Sequence, residues 1–159
     1  MEVKALGKWL KIVLFGIGVC GVFIYLIVFP SLGDSFAYEN PEFAYCFWPW
    51  LVFLWISGIP CYIFLALGWK IATNIGKDNS FSKENAKYFK WGAWLAAGDT
   101  AYFFIGNIVL LLLNMSHPGI TLASMVVSFI GISIAVCAAV LSHLVQKASE
   151  LKEENDLTI

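Results

Sequence analysis

The 159-residue sequence contains no arginine, and charged residues make up only 13% of it. Soluble domains carry about 25% charged and about 45–50% apolar residues, whereas this chain is 60% hydrophobic. A soluble domain of this size leaves too much surface exposed to hide so many apolar side chains, which argues against a soluble fold. Cysteine is scarce too. There are four, with no CxxC pair, so neither a redox-active pair nor a zinc site has support. Cys20, Cys61 and Cys137 fall near mid-membrane depth and Cys46 at the mouth of the second apolar run, where reduced cysteines are expected as small fillers. No nucleophile–base pair, metal cluster or glycine-rich loop is present, and both histidines lie near the ends of apolar runs. No enzymatic activity, cofactor or metal site is therefore expected.

What remains is length without charge. No charged residue lies between Ile12 and Gly33, between Phe43 and Trp69, or between Thr100 and Gln146. A bilayer core about 30 Å thick needs about 20 apolar residues per helical crossing. Four spans fit, at about 10–30, 47–69, 91–113 and 120–144. The first is too long for a signal-peptide core, and Phe29-Pro30-Ser31-Leu32 lacks a small-x-small cleavage pattern. A closed β-barrel needs alternating strands of about 10 residues rather than continuous runs. The expectation is an all-α integral membrane four-helix bundle, a single membrane domain over 1–159 with an inner loop at 70–90 and a C-terminal helix at 145–159.

Lysine gives the orientation. Lys4, Lys8 and Lys11 precede span one; Lys70, Lys77, Lys83, Lys87 and Lys90 separate spans two and three; Lys147 and Lys152 follow span four. The other two connections contain none: 31–46 carries Asp34, Glu39 and Glu42, and the turn at 114–119 carries only His117. Lysine-rich short loops stay cytoplasmic, so both termini are expected in the cytoplasm, where the lysines also favour anionic headgroups. Rings mark the two interfaces: Trp9, Trp69, Tyr88 and Trp91 at the lysine-rich end, and Phe36, Tyr38, Phe43, Tyr45, Phe47, Trp48 and Trp50 at the other. The latter set, mixed with acidic residues, has a cation-binding cage as its alternative reading.

Lipid supplies no hydrophobic force between helices, so small residues must let backbones approach. Ser124, Ser128, Gly131, Ala135, Ala139 and Ser142 recur at spacings of three or four and predict the packing stripe of span four, with Val126, Phe129, Ile132, Val136 and Val140 facing lipid. Span one offers Gly16, Gly18, Cys20 and Gly21. Pro60 removes a backbone bond within span two and predicts a kink.

Asp99 stands eight residues into span three, about 12 Å deep. An acidic group at that depth is costly and is a functional-site candidate by default. With no lysine in any span to neutralise it, the carboxyl is expected to be uncharged. Its competing reading is a protonated group bonding a neighbouring helix. Depth matching sets Ser133 and Cys137 near its level and Asn107 near Ser128, as an interhelical hydrogen bond. Ser82 is a natural N-cap for the third span's helix, with Phe81 packing on its first turn and Glu84 complementing the dipole. The chain end is acidic at Glu150, Glu153, Glu154 and Asp156 and apolar at Leu151, Leu157 and Ile159, a candidate docking helix whose alternative is a frayed tail.

Asn79-Ser-Phe-Ser-Lys-Glu-Asn and Ala148-Ser-Glu-Leu-Lys-Glu-Glu-Asn-Asp-Leu-Thr-Ile resemble a bacterial membrane-protein family catalogued as domain of unknown function 2975. The resemblance spans essentially the whole chain. It implies a multi-pass protein of the bacterial inner membrane. Because members are often encoded beside a small helix-turn-helix regulator, it also implies the membrane component of a regulatory pair. The family has no established catalytic residues. The candidate partners are the lipid bilayer, a small cytosolic DNA-binding regulator and a further copy of the chain; direct nucleic-acid binding is not expected. The expected role is regulatory, sensing or scaffolding. The rival is a small proton- or cation-coupled transporter that uses the Asp99 carboxylate.

The orientation is testable by thiol labelling in a chain freed of its native cysteines. Cysteines at Lys83 and Glu153 should be shielded from an impermeant reagent in intact cells, and one at Glu39 labelled; the reverse pattern inverts the topology.

Overall fold

The computed structural model describes residues 3–156. The order is α1 (Val3–Phe23), a π-helical turn (Ile24–Val28), α2 (Phe29–Glu39), a 3-10 turn (Pro41–Cys46), α3 (Phe47–Gly76), α4 (Lys83–Leu112) and α5 (Pro118–Asp156), with no strand among the described residues. From Val3 to Glu39 the chain is helical throughout, and it forms the first of four helices long and apolar enough to cross a membrane. Large apolar side chains cover the outer faces, among them Phe15, Trp94, Phe129 and Val126. The protein is an all-α integral membrane bundle of four spans.

The helices pack in chain order: the first span on α3, α3 on α4, and α4 on α5. Among the described residues α1 and α5 do not meet, so the fourth side of the bundle is open. In the lysine-rich half an apolar cavity of about 290 Å3 lies between the four helices, lined by Leu10, Leu14, Phe64, Phe89, Gly92 and Ala138.

The α4–α5 seam is the tightest. Thr121, Ser124, Ser128, Ala135, Ala138, Ser142, Val145 and Ser149 are all buried, and a Cβ on Gly131 would strike the Thr100 hydroxyl. These positions alternate by three and four without a slip, which is the heptad pattern of a left-handed pair. The expected stripe is thus present with one change: Ala138 replaces Ala139, which is exposed. Val126, Phe129, Ile132, Val136 and Val140 lie exposed on the far side as expected.

On the other flank, rings and branched chains of α3 and α1 sit on glycines. Leu14 packs on Gly68, Tyr25 on Gly58 and Tyr62 on Gly21, while the Tyr62 hydroxyl donates to Gly18 O at 2.9 Å. The closest crossing is at Gly7, where a Cβ would lie 2.9 Å from Ala72 O and from Gly76 N and Cα. Gly7 precedes the expected span, and Gly16, expected at an interface, has nothing within 4 Å of its Cβ position. Between α3 and α4, Phe53 lies over Gly106 and stacks on Phe103 at 5.5 Å.

The first span does not stop at Pro30. Phe29 N donates five residues back, to Ile24 O, and this wide register places Pro30, which has no N–H, opposite Tyr25 O. The indole of Trp55 donates to that carbonyl instead, at 2.9 Å. With its orphan acceptor satisfied, the helix resumes as α2 with proline in its first turn, a position that tolerates it. The segment at 31–46, expected as a loop, is therefore α2 followed by a 3-10 turn. Pro60 lies within α3, which continues through it to Gly76.

Two helix ends share one device. Asp78 and Asn114 adopt left-handed φ values of 59° and 56°. Asn79 N bonds Asn74 O at 3.0 Å and Met115 N bonds Leu110 O at 2.8 Å, the six-to-one bonds of a Schellman close.

Gly7→Ala should lower stability in detergent by about 1–3 kcal/mol, because only backbone can yield, while Gly16→Ala stays within about 0.5 kcal/mol of the parent. Thermal unfolding midpoints of the two purified variants decide this; equal midpoints would contradict the Gly7 crossing.

Candidate functional site

Three groups of polar residues carry whatever chemistry the helices position. The first is the lysine-rich end. Ser82 caps α4 by accepting from Asn85 N at 3.2 Å. Asn85 has no solvent exposure. Its amide donates to Ser80 O at 2.9 Å and Asn79 O at 3.3 Å, and its Oδ1 accepts from Asn74 Nδ2 at 2.8 Å. Asn74 also donates to Glu84 Oε2 at 3.2 Å. One buried amide thereby ties the last turn of α3, the loop and the first turn of α4 together. Phe81, expected to pack on that turn, is exposed. Lys11 lies over Trp69 and Lys70 over Tyr88, each 5.4 Å from the ring centre, so the aromatics of this interface also receive lysine.

The end of α5 joins this platform. Ser142 Oγ donates to Ala86 O at 2.8 Å, and Lys83 Nζ pairs with Glu153 at 2.6 Å. Ser149 is buried in the seam while Leu151 is 59% exposed. Glu150 accepts from Gln146 at 3.1 Å on the helix surface. Of the expected docking residues, Glu153 is thus engaged within the chain, Leu151 is presented outward, and Asp156 ends the helix. Leu157 and Ile159 lie outside the described residues.

The second group surrounds Asp99. Its Oδ2 accepts from the Cys61 thiol at 3.8 Å, and its Oδ1 is buried without a partner. The ring of Tyr25, in the π turn, packs on Gly58, about one turn before Cys61 on α3. Asp99 therefore addresses α3 rather than α5. Ser133, expected at its level, is exposed and bonds Phe129 O of its own helix at 2.9 Å. It is Thr100 that faces α5, at Gly131.

Asn107 and Ser128 form the third group. Both are buried, but the bond expected between them is not made. Asn107 Nδ2 donates to Phe103 O at 2.8 Å and Ser128 Oγ to Ser124 O at 2.9 Å, each one turn back on its own helix. Asn107 Oδ1 is left unpartnered. Among the described residues no three His, Cys, Asp or Glu side chains converge as metal ligands. All four cysteines are free, and only Cys46 is buried; Cys20, Cys61 and Cys137 sit at the surface rather than filling gaps.

Sequence reading missed Asn85 and Asn74. The available signal was an asparagine three residues after the Ser82 cap, a position where glutamate or glutamine more often reaches back. Asn85→Ala should orphan the Ser80 carbonyl, leave the Asn74 amide only its bond to Glu84, and cost about 1–3 kcal/mol. Faster hydrogen exchange confined to residues 74–86 would register the loss; unchanged exchange would contradict the keystone role.

The chain is 30% identical over 152 residues to the uncharacterised membrane protein YoaS of Bacillus subtilis (strain 168), with 94% of each chain covered. No solved structure matches. The family described as Protein of unknown function (DUF2975) matches residues 31–159, a stretch that takes in α2 from Ser31 onward, the Asn85 loop and the whole α4–α5 seam. With most of the chain matched on both counts, this membrane protein belongs to the DUF2975 family.

Proposed function

We propose that this protein is a non-enzymatic regulatory or scaffolding component of the bacterial inner membrane, with both termini in the cytoplasm and the α4–α5 platform docking a cytosolic partner. One observation carries the reading: α5 has 39 residues, about 58 Å at 1.5 Å per residue, nearly twice a bilayer core of about 30 Å. The part beyond the apolar run is not a loose tail, because Val145 and Ser149 keep the seam closed and Lys83 pairs with Glu153. A transport path between spans gains nothing from such an overhang. A docking surface needs it stiff. Leu151 and Phe81 supply exposed apolar anchors, and the acidic run Glu150, Glu153, Glu154 and Asp156 suits a basic partner such as a small helix-turn-helix DNA-binding protein. Charge would set the approach rate and the apolar anchors the residence time.

A second reading rests on Asp99. A membrane-embedded carboxyl with one oxygen unpartnered is the kind of group that couples proton or cation movement to transport.

Truncation after Lys147 separates the two. The shortened protein should remain inserted and monodisperse yet lose a helix-turn-helix partner that the full chain retains in pull-downs from the native host. Retention by the truncated protein overturns the docking role. Substrate-dependent flux in liposomes that Asp99→Asn abolishes, with folding intact, establishes the transporter.

A further inference from the structure

The caps of α4 and α5 differ in kind. At the lysine-rich end Ser82 accepts from Asn85 N, with a hydroxyl that does not titrate near neutral pH. At the lysine-poor end α5 begins at Pro118, and the cap is His117. Its carbonyl accepts from Ile120 N at 2.9 Å and Thr121 N at 3.1 Å, and its Nδ1 accepts from Gly119 N at 3.1 Å. Serine, threonine, aspartate and asparagine are the usual residues for this task. The local sequence is fitted to the imidazole. Pro118 has no N–H to satisfy, and a Cβ on Gly119 would crowd Nδ1 at 3.2 Å.

The bond to Gly119 N requires Nδ1 without a proton. Histidine is the side chain type whose charge changes between about pH 5 and 8, and His117 is exposed, so the medium supplies the proton. A protonated Nδ1 would turn a donor toward the Gly119 N–H and set a positive charge on a helix N-terminus, the end that disfavours it. No neighbouring charge offsets this. A cleft of about 700 Å3 brings α2, the 3-10 turn and the start of α3 against His117, and Cys46 is the other titratable side chain in its lining. Tyr45 Oη donates to Asn114 O at 3.1 Å. Asp34 and Glu39 of α2 and Glu42 of the 3-10 turn stand outside the lining. No carboxylate among the described residues is within ion-pair distance of the imidazole, and α4 and α5 carry no charged residue between Thr100 and Gln146. The preceding half of the turn is held separately, by Tyr45 on Asn114 O and by Trp50 Nε1 on Met115 O at 2.6 Å. Next in the chain, Ser116 Oγ is buried without a partner, a cost of the closed turn that opening toward water relieves.

We propose that His117 is a pH-sensitive latch: without its proton on Nδ1 it closes the first turn of α5, and protonated it releases residues 116–120 and opens the turn side of the cleft, which His117 and Ile120 line. The closed turn is held by a bond that acid removes and opposed by a buried hydroxyl that gains from opening. Because the bond needs the free nitrogen, the latch is closed at the alkaline end of histidine's range and loosens as the pH falls. Loss of one cap shifts the local opening equilibrium about fivefold. α5 runs unbroken from this latch to the platform at the lysine-rich end, and the latch does not depend on the docking role proposed for that end.

The test is hydrogen exchange of the full chain in detergent at about pH 5 and about pH 8, each rate divided by that of an unstructured peptide at the same pH. Protection of the Gly119, Ile120 and Thr121 amides should fall about fivefold from the higher pH to the lower, while the Asn85 amide on the Ser82 cap keeps its protection. His117→Asn, which caps without titrating, should stay protected at both values. His117→Ala, which cannot cap, should show the low protection at both. Protection in the parent chain that ignores pH, an equal fall in His117→Asn, an equal fall at the Ser82 cap, or parent-like protection of His117→Ala at the higher pH would each overturn the latch.

Discussion

Helices in lipid gain nothing from hiding apolar side chains against one another, because the tails are equally apolar. Every helix contact here answers that constraint by bringing backbone close to something. At the α1–α3 crossing it is backbone against backbone at Gly7 and Gly76; higher up, tyrosine and leucine side chains rest on glycines; and along α5 hydroxyls and methyls keep the seam narrow. The serine hydroxyls mostly turn back to their own helix, as Ser128 and Ser133 do. They act mainly as small residues, and only Ser142 bonds across the seam.

The same solvent permits no unsatisfied backbone, and the end of the first span shows how that demand is met. Proline withholds a donor, the helix widens, and an indole from α3 replaces the missing N–H. Local chain chemistry and tertiary packing are inseparable at that point: without Trp55 the Tyr25 carbonyl would face hydrocarbon. Among the described residues Asp99, Asn107 and Ser116 each keep one buried side-chain oxygen without such a replacement.

What could be read from sequence follows from range. The spans were legible because twenty apolar residues in a row admit one explanation, and Ser82 was legible as a cap because capping is local. Pro30 was read as the end of span one because its remedy, Trp55, lies in another helix. Ala139 was preferred to Ala138 because spacings of three and four leave open where a helix drifts against a heptad. The Asn107–Ser128 bond failed for a comparable reason: with Thr100 set against Gly131, Asn107 lies about one turn from Ser128. The partner of Asp99, Cys61 of α3, was not legible, since counting residues gives a position along the helix and not its azimuth. The cleft of about 700 Å3 between α2, the start of α3 and the 114–119 turn was not legible, because it depends on α2, which was expected to be a loop.

A π turn is an α-helix carrying one extra residue, and one residue is about 100° of rotation. Everything after Val28 is therefore phased differently from α1. Leu14 and Leu32, eighteen residues apart, would share one face of a plain α-helix; the extra residue sets Leu32 about 100° from that face. Removing a single residue from Ile24–Val28 would leave composition, length and hydropathy almost unchanged. Because the bulge absorbs the extra residue, such a deletion would close the π turn and leave Leu32 and Phe36 where they are, whereas the same deletion between Gly7 and Gly18 would turn Gly7 about 100° off its crossing.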